Sequence, residues 1–172
     1  TTATQTLKAL VNSLGLKGNI DANVAASSIK LIDNTGDGKI DAAVYTPVKV
    51  GKVTAVSKTS VTINNGINTV KFEDADVYSG IAKDDYVMFL AETNRSAKDK
   101  GSITKINVIS GKIVGTRTVS SKTSEVKIDN TWYKVAKTAP NMASGDSYDV
   151  AVVGDTVLFG DMTAASSKDI LT

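Results

Sequence analysis

A chain of 172 residues with 41% hydrophobic content has room for one ordinary domain or a few very small ones, and its 20 basic against 18 acidic residues leave it near charge balance. Cysteine and histidine are both absent, which excludes thiol nucleophiles, disulfides, structural zinc, histidine-based triads and the commonest general base near neutral pH. The basic residues are dispersed, with Arg95 and Arg117 the only guanidinium groups, so no nucleic-acid partner is expected, and no run of about 18 apolar residues exists to span a bilayer.

The first element in chain order is a short helix. Leu7, Leu10, Val11 and Leu14 recur at helical spacing between Thr4 and Gly18, and Gly15 or Gly18 is placed to end it. Two strands follow, Ser28 to Ile32 and Lys39 to Val44, joined by "DNTGDG", whose Asp and Gly residues accept tight-turn conformations. This loop admits two readings. Asp33, Thr35, Asp37 and Asp41 stand at the first, third, fifth and ninth positions of D-x-T-x-D-G-x-x-D, and Lys39 offers its backbone carbonyl at the seventh. Calcium takes about six to eight oxygens, and alternate residues of such a loop fold toward one point, which makes calcium the candidate cofactor. The twelfth position, where a helical EF-hand places a bidentate acid, is Val44, so the site would be of the nine-residue kind set in a β-hairpin. The other reading is a plain hairpin turn whose acids are solvated.

Beyond residue 48 the chain repeats itself imperfectly. "GKVTAVSKTSVTI" (Gly51 to Ile63) is echoed by "GKIVGTRTVSSKTSEVKI" (Gly111 to Ile128), and "KDDYVMFLAE" (Lys83 to Glu92) by "VGDTVLFGDM" (Val153 to Met162). An "NNG" turn at Asn64 to Gly66 and a "DNT" turn at Asp129 to Thr131 follow the first word of each copy, and Lys137 to Val150 reads as an insertion in the second. Short β-branched runs between glycine and Asn/Asp clusters predict a mainly β fold. Two small β-barrel or β-sandwich modules, 49–110 and 111–172, are expected, preceded by the helix and hairpin of an N-terminal segment, 1–48. The word match pairs Val87 and Phe89 with Val157 and Phe159, all four facing module cores because residues two apart in a strand share a face.

Candidate chemistry is sparse. S-x-x-K occurs at Ser27, Ser102 and Ser124 without the companion elements of penicillin-binding enzymes, and the acids fall mostly in turns, so no catalytic residue is assigned and no enzyme is expected. Trp132 and Tyr133 follow the "DNT" turn on opposite faces of a strand. An exposed Trp132 would give a sugar ring something to stack on, which makes it the candidate ligand-binding residue.

"IKLIDNTGDGKIDAAVY", "VGKVTAVSKTSVTI", "GKIVGTRTVSSKTSEVKIDNTWYKVA" and "VVGDTVLF", which together cover most of the chain from about Ser28, resemble the β-rich repeats that accompany S-layer homology (SLH) domains in cell-surface proteins of Gram-positive bacteria. The resemblance implies an extracellular, cell-wall-associated location and a structural or assembly role. Its partners would be other domains of a larger surface protein and further copies of itself. Wall anchoring in such proteins belongs to separate SLH domains, which this sequence lacks, so the segment alone is not expected to hold a cell-wall polymer. The absence of an initiator Met and of a basic-then-apolar leader fits a piece of a longer, processed protein. The alternative function is a carbohydrate-binding or calcium-dependent adhesive module.

Overall fold

In the computed structural model, which describes residues 21–91 and 100–165, the chain is mainly β: one short helix, then strands. Two units divide it, one containing Ala22–Ile106 and the other Asn107–Thr172. The helix expected between Thr4 and Gly18 lies outside the described residues.

The first unit opens with helix α1 (Ala22–Ala26), which the periodicity of the sequence did not announce. Its end is set by Ser27, whose hydroxyl donates to the Asn23 carbonyl at 2.6 Å and accepts the Val48 amide at 2.8 Å, while Asn23 Oδ1 accepts the Val50 amide at 2.9 Å. Strands β1 (Ser28–Ile32) and β2 (Ala42–Thr46) form an antiparallel hairpin paired from Ser28 with Thr46 to Ile32 with Ala42. The second strand starts three residues later than the expected Lys39, because the loop acids claim the amides up to Lys39 for the turn.

A six-stranded sheet follows in the order β5-β4-β3-β7-β8-β6, built from β3 (Lys49–Val56), β4 (Ser60–Ile63), β5 (Asn68–Lys71), β6 (Ala75–Val77), β7 (Tyr86–Leu90) and β8 (Gly101–Lys105). Its two end strands, β5 and β6, are consecutive in the chain and only three residues apart. The sheet wraps a core that includes Val53, Val61, Ile63, Val70, Val87 and Ile103, with Phe72, Tyr78 and Phe89 half-buried against it.

The second unit is a closed barrel, β10-β11-β13-β12-β9, from β9 (Asn107–Val119), β10 (Lys122–Ile128), β11 (Thr131–Val135), β12 (Ser147–Val153) and β13 (Thr156–Ala164). Ile113, Val126, Ile128, Val135, Met142, Tyr148, Val150 and Val157 fill it. Because β9 runs unbroken from Asn107, the divide expected at 110/111 falls inside a strand.

Both units follow one strand path. In each, the long first strand pairs with the next strand over one half and with a later strand over the other: β3 with β4 and β7, β9 with β10 and β12. In each, a parallel pair then joins the sheet's far side, β6 with β8 and β11 with β13. The change of partner comes just after Gly51 and Gly111, between Lys52 and Val53 and between Lys112 and Ile113, and at these glycines the first strand presses on the next. A Cβ on Gly51 would stand 2.7 Å from Ile63 Cγ2 and 2.8 Å from the Asn64 carbonyl, and one on Gly111 would overlap Ile128 Cγ2.

This path corrects the pairing of the second repeated word. Gly51 lies opposite Val87 and Gly111 opposite Tyr148, so β7 corresponds to β12, and Val87 and Phe89 do not correspond to Val157 and Phe159. The turns entering β7 and β12 agree bond for bond: Val53 donates to the Asp85 carbonyl as Ile113 does to that of Asp146, both at 2.8 Å, and Asp84 and Gly145 donate back at 2.9 and 2.8 Å. "VGDTVLF" is instead the hairpin from β12 into β13, and it mimics "DDYVMF" because an acidic turn before an alternating strand recurs in any β fold. Val87 and Val157 are fully buried, Phe89 leans on its core, and Phe159 is half-buried. The insertion is also shorter than expected: Tyr78 and Ala136 make equivalent bonds, as do Ala82 and Ala143, so three residues (79–81) stand against six (137–142).

Candidate functional site

The acidic loop spans Asp33 to Asp41 between β1 and β2 and is exposed except near its end. Asp33 organises it: Oδ1 accepts the amides of Gly36 at 2.7 Å and Thr35 at 3.1 Å, and Oδ2 accepts that of Gly38 at 2.9 Å. These bonds, led by the one from Gly38, hold the Asp33 carboxyl below the usual carboxylate range. Gly36 and Gly38 sit at φ +70° and +79°, so glycine at both positions lets the backbone curl around that carboxylate. Asp41 Oδ2 accepts the Asn34 amide at 2.8 Å, and Asp37 Oδ1 accepts the Lys39 amide at 2.9 Å while its other oxygen faces the Lys39 ammonium at 3.6 Å. Of the oxygens that the spacing offers to calcium, both of Asp33, both of Asp37 and one of Asp41 are thus engaged within the turn. Among the described residues no three acidic side chains are gathered closely enough to hold a metal ion.

Trp132 lies on the outer face of the second barrel. Its partner across the ladder is Lys127, which in turn faces Gly115, and the indole reaches over to that glycine, where an added Cβ would stand 3.3 Å from the ring. The Arg117 guanidinium stacks on the ring at 4.2 Å from its centroid and is clamped by Glu125 Oε2 at 2.8 Å. Trp132 remains 37% exposed, but a sugar stacking on the covered face must displace an arginine that is already paired. Tyr133 points the other way, half-buried against the core.

One polar cluster was not singled out by sequence reasoning. Asp85 Oδ2 accepts the Tyr78 hydroxyl at 2.6 Å and the Ala82 amide at 3.0 Å, and Oδ1 faces the Lys105 ammonium at 2.8 Å. Burial pushes the Asp85 carboxyl up, but Lys105, Tyr78 and the Ala82 amide outweigh it and leave the group below its usual range. Burial and the same carboxylate hold the Tyr78 phenol well above the ordinary tyrosine range. Here three donors meet one carboxylate and tie the segment after β6, the turn before β7 and the end of β8 together, which makes the cluster a brace. The S-x-x-K pair in β8 is no catalytic dyad either, since residues three apart in that strand point to opposite faces, and Ser124, at the bulge of β10, spends its hydroxyl on the Arg117 carbonyl at 3.1 Å.

No described helix is long and apolar enough to cross a membrane. No family model, no curated protein and no solved structure matches this chain.

Proposed function

We propose that the chain is a non-catalytic structural segment of an extracellular bacterial surface protein of the S-layer type, working through neighbouring domains of that protein and through contacts between copies. The observation that supports this reading is how the charged groups are used. Among the described residues, the carboxylates held below their usual range are Asp33, which locks a turn, Asp85, which braces a sheet, and Asp155, which is held by the Thr156 hydroxyl and by Lys134. Both interiors are built almost wholly from aliphatic side chains. A β unit that braces itself and is followed by another of the same path provides spacing without needing a cleft.

An in-frame deletion of this segment from the secreted protein tests the proposal. Export continues while the spacing or order of the surface layer changes, seen by electron microscopy of cell envelopes. An unaltered layer, or release of soluble sugar or peptide from isolated walls by the purified chain, would overturn it. As a subsidiary proposal, Asp37 and Asp41 turn toward Asp33 around a calcium ion and stiffen the hairpin. The motive is the run of oxygens at Asp33, Thr35, Asp37, Lys39 and Asp41.

A further inference from the structure

The two units also differ on the outer face of the hairpins β4–β5 and β10–β11. The ladders superpose pair by pair from the pressed isoleucine: Ile63 with Asn68 matches Ile128 with Thr131, and Thr62 with Thr69 matches Lys127 with Trp132. Ser60 with Lys71 then matches Glu125 with Lys134. Where the second unit covers this face with its own indole, guanidinium and carboxylate, the first has the short hydroxyl residues Thr69 and Ser60. The face is left as an open depression of about 570 Å³ lined by Lys58, Ser60, Thr69, Lys71, Phe72 and Glu73. It lies beside the three-residue break between β5 and β6, where the first unit departs from the closed barrel of the second.

We propose that this depression binds an acidic pyranose, a sugar ring carrying a carboxylate. Its volume falls in the range of small-ligand sites. Phe72 is half-buried, packed on the core from one side, and is tied in place by its amide, which donates to the Thr59 carbonyl at 2.9 Å. Its open side supplies the apolar surface that a pyranose presents to an aromatic ring. The hydroxyls of Ser60 and Thr69 are already oriented, by Ser57 at 3.0 Å and Thr62 at 3.2 Å, and each group retains hydrogen-bonding capacity for sugar hydroxyls. Two lysines against one glutamate leave the lining with a net positive charge. The Lys71–Glu73 pair, 3.4 Å apart and largely exposed, holds Lys71 too weakly to keep it from a ligand carboxylate. The sugar site is thereby moved from Trp132, whose ring face is covered, to the unit whose matching face is bare.

The test is a two-dimensional amide NMR titration of the intact chain with sodium glucuronate, with glucose and sodium acetate as parallel arms at the same concentrations. Glucuronate is expected to give saturable shifts confined to residues 58–60 and 69–73 with a millimolar dissociation constant, glucose weaker ones, and acetate none. Lys58→Glu, on an exposed turn, is expected to weaken glucuronate at least tenfold, while Lys127→Glu on the second unit leaves it unchanged. Equal shifts from acetate, shifts centred on Arg117 and Trp132, or no shifts at all would each overturn the proposal. Failure here leaves the structural role standing, because that role does not draw on this depression.

Discussion

The first and second units solve the same closure problem with different materials. In the second, β11 is one strand that pairs with β10 on one side and β13 on the other, so hydrogen bonds run all the way round. In the first, that strand is split into β5 and β6 by a turn at 72–74, and each half serves one neighbour. What holds the region below the parallel pair differs accordingly. The second unit drops Met142, from its longer connection, into the core, where it is 3% exposed. The first has the shorter connection and ties it across with Tyr78, Asp85 and Lys105. The second unit also pins its connection with polar bonds, since Asn141 Oδ1 accepts the Thr123 amide at 3.0 Å, and the first also rests Ile81 on its core, so one strand path carries two different mixtures of apolar and polar ties.

The shared feature gives the largest expected effect. Gly51→Ala places a methyl against Ile63 Cγ2 and the Asn64 carbonyl, and the carbonyl belongs to a backbone that also accepts bonds from its neighbours. The expected cost is about 2–3 kcal/mol, after the small gain from a stiffer unfolded chain. Gly111→Ala meets chiefly Ile128 Cγ2, a methyl on a buried β-branched side chain that is stiff at χ1, so its cost is of the same sign and similar size. Urea unfolding of both variants measures this. If either is neutral, the two glycines do not play the same part, and the correspondence of the units fails at its anchor.

The brace gives a second, smaller effect that separates the units. Asp85 has a folded pKa below its unfolded value, so its contribution is complete above about pH 4 and is lost as pH falls through the lower folded value. Tyr78 has a raised folded pKa, so its contribution is complete below about pH 10 and is lost only as pH rises through the higher folded value. Asp85→Asn is expected to cost about 1.5–3 kcal/mol at neutral pH and to flatten the acid limb of the stability profile. In an ultraviolet titration it should bring Tyr78 down toward the ordinary tyrosine range, leaving the part due to burial. A phenol that does not move on this substitution would show that the brace is not electrostatically coupled.

What the sequence made legible follows from range. The β-branched runs, the first strand of the hairpin and the "GKV" and "GKI" words are local patterns, and the structure has strands where they predict them. The correspondence of β7 with β12 is carried by backbone bonds between Val53 and Asp85 and between Ile113 and Asp146; in residue type it leaves only the match of Ala82 and Asp85 with Ala143 and Asp146, too short to stand out beside the longer "VGDTVLF" word. Lys105 meets Asp85 only because β7 and β8 are neighbours, and Arg117 meets Trp132 only because β10 lies between their strands. The acids of the loop were legible as a spacing, but the direction of their lone pairs was not, since that depends on which amides the glycines bring round.

The acidic loop yields the smallest expected effect, because the hairpin that carries it pairs only within itself and its acids are exposed. Calcium bound there adds RT ln(1 + [L]/Kd), about 1.4 kcal/mol at ten times Kd, and that energy opposes local opening of the hairpin before it opposes unfolding of the unit. The readout therefore belongs at the amides of Asn34, Gly36, Gly38 and Lys39, which now donate to Asp33, Asp37 and Asp41. Gathering the carboxylates around a cation must alter these bonds, so millimolar calcium should shift those four amide resonances saturably and slow their exchange. Asp37→Ala removes one proposed ligand and, of the turn, only its contacts with Lys39, leaving the Asp33 bonds in place. It should abolish the calcium response while the hairpin persists. Four amides that ignore calcium in the wild-type chain would leave these acids as turn locks, with Asp33 alone setting the geometry of the loop.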